Sequence, residues 1–254
     1  MKDQYVGDIG DFGKYGLLRA LCGGPGMQPS SDLLPSLGIV WYQTPYDKDS
    51  KHGEHTGYLT ASARNLRGFR ACDPHLYDQV ARVVRSGERS VRSIMQSGIF
   101  SGGTRFFREE VPEAADREVW CDAACDEVRG CQVIFLDPDN GLEPQGRYSR
   151  KASNRYVLPW EVERFGLLDA TLVIYQHSGR TKGCTVGVQA ARWSRRLRDV
   201  LPHREMLAVG YHRGASRTFL ILPARGCEQG LKETVGRFLD GPWGICRHFS
   251  WIIR

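Results

Sequence analysis

The sequence contains no run approaching the roughly 18 consecutive apolar residues that a membrane span requires, which excludes a helical membrane anchor within it. It opens Met1-Lys2-Asp3-Gln4-Tyr5-Val6-Gly7-Asp8, with acids where a secretory signal needs a basic start and an apolar stretch, so a cytoplasmic protein is expected. Knuckle spacing is missing from the cysteines too. Cys121, Cys125 and Cys131 cluster without a C-x2-C pair or a nearby fourth ligand, and the eight cysteines are expected to be reduced, small buried hydrophobes. His52-Gly53-Glu54-His55 sets two histidines three apart without a helical pattern, which does not make a metal pair. Neither a phosphate-loop nor a dinucleotide fingerprint is present, and no repeat or low-complexity linker divides the chain.

Lysine is scarce. Of 35 basic residues only seven are lysine, leaving 28 arginines against 29 acids and a net charge of +6. Arginine is the side chain best suited to bidentate phosphate contact, so an anionic partner is one reading and a merely solvated basic surface the other. Hydrophobic residues at 41% and charged residues at 25% are ordinary globular usage, and 254 residues suffice for one core, so residues 1–254 read as a single α/β domain.

Apolar periodicity then places the elements. Lys14 to Cys22 has helical spacing and stops at Gly23-Gly24-Pro25-Gly26. Asp73 caps and Pro74 opens a helix to Arg85, and further helices are expected over Glu113–Val128, Pro159–Leu168, Val186–Leu201 and Leu231–Leu239. Ile39–Gln43, Val133–Leu136 and Ala170–Tyr175 read as buried strands. Glu205–Tyr211 and Thr218–Leu222 read as a late antiparallel hairpin, and Phe249–Ile253 as a last strand. The expected fold is a Rossmann-like, mainly parallel sheet with helices on both faces and a C-terminal antiparallel hairpin at its edge.

In such sheets ligands bind beyond the carboxyl ends of the strands. Asp137-Pro138-Asp139-Asn140-Gly141-Leu142-Glu143 follows one strand with three carboxylates in seven residues, and Gln176-His177-Ser178-Gly179-Arg180 follows another. The bland alternative is a capped turn, since Asp, Pro, Asn and Gly all form turns. His177 and Arg180 offer a proton-transfer group and an anion clamp. Gly7-Asp8-Ile9-Gly10-Asp11-Phe12-Gly13-Lys14 has glycines suited to close backbone approach to a ligand, or else is a glycine-rich segment in which Asp11 caps the first helix. Arg192, Arg195, Arg196 and Arg198 around Trp193 suit phosphate tracking and base stacking, or a solvated face.

The segments Tyr5 to Arg19, Asp137 to Glu143 and Tyr175-Gln176-His177 resemble a bacterial protein family without an established activity. More remotely, the layout is similar to Rossmann-like methyltransferases that modify adenine amino groups, including ribosomal RNA enzymes. There a strand ends in Asp/Asn-Pro-Pro-aromatic, another strand follows, and a terminal hairpin closes the sheet. Asp137 and Pro138 match that motif, whereas Asp139 and Asn140 stand at the second proline and the aromatic, so the base-stacking surface is missing. Thr44-Pro45-Tyr46-Asp47 replaces a glycine-rich turn after the first strand.

The resemblance implies S-adenosylmethionine-dependent methyl transfer to nucleic acid or a nucleotide-like substrate. Asp137 then orients the nucleophile, Asn140 assists, His177 and Arg180 contact substrate, and Asp8, Asp11, Lys14 and Pro138 line the cofactor side. The carboxylates also permit a Mg²⁺-dependent nuclease or phosphohydrolase, with Asp137, Asp139 and Glu143 on the metal and Lys151 or Arg180 on the phosphoryl charge. A third reading is an inactive module that binds nucleic acid or a protein partner.

Overall fold

The structure, a computed structural model, describes residues 2–26, 35–45, 53–144, 154–178 and 184–254. Arg180, Lys151 and His52 lie outside the described residues. Nine strands are described: β1 Leu37–Trp41, β2 Arg105–Phe107, β3 Val133–Asp137, β4 Gly141–Leu142, β5 Tyr156–Val157, β6 Thr171–His177, β7 Leu207–Tyr211, β8 Arg217–Leu222 and β9 Phe249–Ile253. The helices are α1 Ile9–Cys22, α2 Ala63–Asn65, α3 Pro74–Arg85, α4 Val91–Gln96, α5 Arg117–Val128, α6 Pro159–Gly166, α7 Val186–Val200, α8 Glu228–Asp240 and α9 Pro242–Ile245.

Seven strands form one sheet in the order β2-β1-β3-β6-β8-β7-β9, and β4 pairs with β5 in a small parallel ribbon. β2, β1, β3 and β6 are mutually parallel. β8 runs against both β6 and β7, and β9 runs against β7. The expected antiparallel hairpin is present as β7 and β8, but it is not the outermost element: β8 lies between β6 and β7, and β9 flanks β7 at the edge. The six buried residues of β8, Arg217-Thr218-Phe219-Leu220-Ile221-Leu222, explain why it belongs inside.

Side chains alternate between two cores, as the period of two in a pleated strand requires. Ile39, Trp41, Val133, Phe135, Val173 and Tyr175 meet Phe12 and Leu18 of α1, Val80 of α3 and Phe238 of α8. Val40, Ile134, Leu136, Leu172 and Ile174 meet Trp120 and Val128 of α5, Phe165 of α6 and Leu197 of α7. With both faces covered, the strands read as continuous apolar runs, and each fully buried aliphatic or Phe side chain contributes about 1.5–3 kcal/mol.

Helix starts follow local chemistry. Asp73 accepts from Leu76 N at 2.9 Å ahead of Pro74, as the sequence predicts. The first helix differs from expectation: it begins at Ile9, and Asp8 rather than Asp11 caps it, accepting from Gly10 N at 2.5 Å. β2, a three-residue strand, gives no sequence signal.

Candidate functional site

Parallel neighbours β3 and β6 end side by side, bringing Asp137 and His177 to the same end of the sheet. The amino end of α1 and the β7–β8 turn face them across a cavity of about 350 Å³. Its walls include Asp8, Asp11, Lys14, Asp137, Tyr175 and Arg217. Pro138, Asp139, Asn140 and His177 complete the carboxyl-end wall, with His55 and Arg155 at the solvent side.

The centre is charged and buried. Lys14 Nζ lies 2.9 Å from Asp137 Oδ1, 3.0 Å from Oδ2 and 3.1 Å from Asp11 Oδ1. The ammonium also stands 4.5 Å from the centroid of the Tyr175 ring, a cation–π distance. Asp137 is 1% exposed, so without this partner its carboxylate would be strongly unfavourable there. Burial disfavours the Lys14 ammonium, but Asp137 and Asp11 outweigh it and raise the pKa above the ordinary lysine value. Asp11 goes the other way. Burial pushes its carboxyl up to about 6, Lys14 opposing and the charges of Asp137 and Asp8 adding to the rise. Its Oδ2 accepts from Gly7 N at 3.2 Å and Tyr15 OH at 3.3 Å.

A second chain of contacts lines the opposite wall. Arg217 Nε donates to Tyr175 OH at 2.8 Å, and Tyr175 OH lies 3.1 Å from His177 Nε2. The phenolic oxygen thus bridges the Arg217 guanidinium and the His177 ring. Arg217 is in register with His177 across β6 and β8, and its Nη2 lies 3.5 Å from Asp8 Oδ1. Arg217 also donates to the carbonyls of Arg213 and Ala215.

The turn after β3 is pinned rather than free. Gln176 Oε1 accepts from Leu142 N at 2.8 Å, while its Nε2 donates to Asn140 O at 3.2 Å and His177 O at 2.9 Å. Gly141 has φ of 109°, and a β-carbon there would fall 2.3 Å from Gln176 Oε1, so only glycine fits. Asp139 accepts from Thr44 Oγ1 at 3.1 Å. Turn bonding thus accounts for part of the Asp-Pro-Asp-Asn-Gly segment, but not for Asp137, whose Lys14 partner lies 123 residues away.

Several expected residues converge and others do not. Asp8, Asp11, Lys14, Asp137, Pro138, Asp139, Asn140 and His177 all line the cavity. Glu143 does not: its carboxylate is 3.9 Å from Arg196 Nη2 and its carbonyl accepts from Arg196 Nη1, which draws it toward α7. Asp137, Asp139 and Glu143 therefore form no common metal-binding group among the described residues. Of the three glycines in the Gly7–Lys14 segment, Gly10 lines the cavity, while β-carbons at Gly10 and Gly13 would fall 2.6 Å from Arg217 and 2.7 Å from Tyr211, so both positions also admit side chains of the protein itself.

Tyr175 and Arg217 also line the cavity, and sequence reasoning did not name them as candidates. The available signal was a charged residue opening the apolar run of β8, which has no packing reason to be there. On α7, Arg192, Arg195 and Arg198 are exposed, whereas Arg196 is engaged with Glu143 and stacks 5.5 Å from the Trp193 ring. No protein-family model and no curated protein sequence matches the chain.

Proposed function

We propose that the cavity is the active site of a methyltransferase-like enzyme that modifies an amino group of a nucleic acid or nucleotide-like substrate. The observation that carries this reading is the placement of Asp137-Pro138 at the cavity, on the strand beside β1, in a sheet closed by a threaded terminal hairpin. That placement resembles the layout of the Rossmann-like adenine amino methyltransferases, with β9 as an additional strand outside the hairpin. S-adenosylmethionine, when bound, supplies an electrophilic methyl group. Its ammonium and carboxylate match in sign the Asp8–Arg217 pair that lines the cavity at 3.5 Å, which would exchange partners with it.

Asp137 and the Pro138 carbonyl accept hydrogen bonds from the target amino group and aim its lone pair. Lys14 balances the charge of Asp137 and fixes it in one orientation, so Lys14 is a positioning residue. Asp11, held near pKa 6, receives the proton that the methylated nitrogen releases. His177 contacts the substrate, with Tyr175 OH 3.1 Å from its Nε2. The base-stacking aromatic of the adenine enzymes is replaced by Asn140, so the target base is held through its edge.

Transfer of labelled methyl groups from S-adenosylmethionine to RNA or DNA tests this, with digestion to identify the modified base. Label on an amino group, reduced about 100-fold or more in Asp137→Asn, is expected. Full turnover in Asp137→Asn would remove the assignment.

A second reading is a Mg²⁺-dependent phosphohydrolase: Asp8, Asp11 and Asp137 all line the cavity, and displacement of Lys14 would free Asp11 and Asp137 toward a cation. Phosphoester hydrolysis that requires Mg²⁺ and fails in Asp11→Asn would select it.

A further inference from the structure

Away from the cavity, the segment Cys246-Arg247-His248 between α9 and β9 meets Cys72, which follows the helical turn Leu66–Arg70. One ligand atom from each of Cys72, Cys246 and His248 lies within 4.8 Å of the other two. Two sulfurs and an imidazole nitrogen in this arrangement are the donor set that soft divalent ions prefer, with tetrahedral geometry. The backbone is shaped for it: Arg247 has φ of 55°, a left-handed conformation unusual for a residue with a side chain, and the turn presents both neighbours toward Cys72.

The imidazole is also oriented. His248 Nε2 contacts the Gly68 carbonyl, which places the ring proton on Nε2 and leaves the lone pair on Nδ1. A backbone carbonyl on the distal nitrogen is the usual companion of a metal-bound histidine. Nδ1 at present accepts from Arg213 Nε at 2.8 Å, and Arg213 Nη2 donates to the Cys246 carbonyl at 2.6 Å. A guanidinium cation therefore already sits against the nitrogen that a metal would take.

We propose that Cys72 Sγ, Cys246 Sγ and His248 Nδ1 bind a soft divalent metal of the zinc class, with Arg213 as the competing cation. Binding exchanges two thiol protons for the metal, giving two thiolate–metal bonds and two released protons, and moves Arg213 off Nδ1. Cys246 is only half-buried, which gives water access to a fourth position. The bound ion ties the Leu66–Arg70 turn to the start of β9.

Cobalt(II) titration of the reduced, metal-free full chain reads this directly. One equivalent is expected to give thiolate-to-cobalt charge-transfer and tetrahedral visible bands, bleached by one equivalent of zinc. Cys72→Ser and Cys246→Ser are expected to lose the bands, while Cys227→Ser, at an exposed cysteine elsewhere, keeps them. Arg213→Gln, which removes the competitor without touching a ligand, is expected to tighten binding about tenfold. Absence of the bands in the parent chain, their persistence in Cys72→Ser, or unchanged or weaker binding in Arg213→Gln would overturn the site.

Discussion

Lys14 and Asp137, 123 residues apart, meet at 2.9 and 3.0 Å at the base of the cavity. This buried ion pair fastens the first helix to the end of β3 and sets the charge of the site. Removing one partner leaves the other charge uncompensated, so Lys14→Ala or Asp137→Ala is expected to cost about 3–5 kcal/mol. The double replacement Lys14→Ala/Asp137→Ala should be less damaging than the sum of the single changes. Urea unfolding of the four proteins closes this cycle; additive losses would show that the pair is not coupled.

Asp11 gives a pH signature. Its folded-state pKa of about 6 is raised above the ordinary carboxyl value of 3.8, so the folded protein binds more protons than the unfolded chain between those values. Its contribution is fully present below about pH 4 and is lost as pH rises through 6. The loss amounts to about 3 kcal/mol at 1.36 kcal/mol per pKa unit. The stability difference between parent and Asp11→Asn is expected to slope across pH 4–6 and flatten above it. A flat difference throughout would contradict the burial effect assigned to Asp11.

Glycines within helices separate two physical causes. Gly236 in α8 has nothing within 4 Å of a built β-carbon, so Gly236→Ala should stabilise by about 0.5–1 kcal/mol. Gly13 in α1 faces the Tyr211 ring at 2.7 Å, and that ring is held by its hydroxyl donating to Ile9 O at 2.8 Å. Gly13→Ala should destabilise by about 1–3 kcal/mol through overpacking. Melting temperatures moving in opposite directions check both at once.

Nucleic-acid binding, if α7 carries it, must depend on salt. Arg192 and Arg195 are exposed and adjacent on one face. Replacing both with Gln is expected to weaken binding and to lower the slope of log K against log salt by about 0.7–0.9 for each phosphate no longer neutralised. An unchanged slope would assign these arginines to a solvated face.

The sheet strands that pack on both faces were legible because Val133–Leu136 and Ala170–Tyr175 are unbroken apolar runs. Asp73-Pro74 was legible because cap and first-turn chemistry are local. Three features were not. β2 is only three residues long and shows no periodicity. The insertion of β8 between β6 and β7 is a tertiary choice that no local pattern encodes. The Lys14–Asp137 pair joins distant segments, so both residues were legible as pocket candidates and their direct pairing was not. Glu143 misled because its proximity in sequence to Asp137 is undone by Arg196 on another helix. The glycines of α1 were visible, and their spacing of three marks a helix face that also accepts neighbouring side chains.

Calorimetric titration of S-adenosylmethionine into the full chain tests the central claim most directly. Saturable one-to-one binding is predicted, weakened at least tenfold in Asp8→Asn, which removes the charge opposite the cofactor's ammonium. Absence of binding heat, together with a melting temperature raised by Mg²⁺ alone, would contradict it.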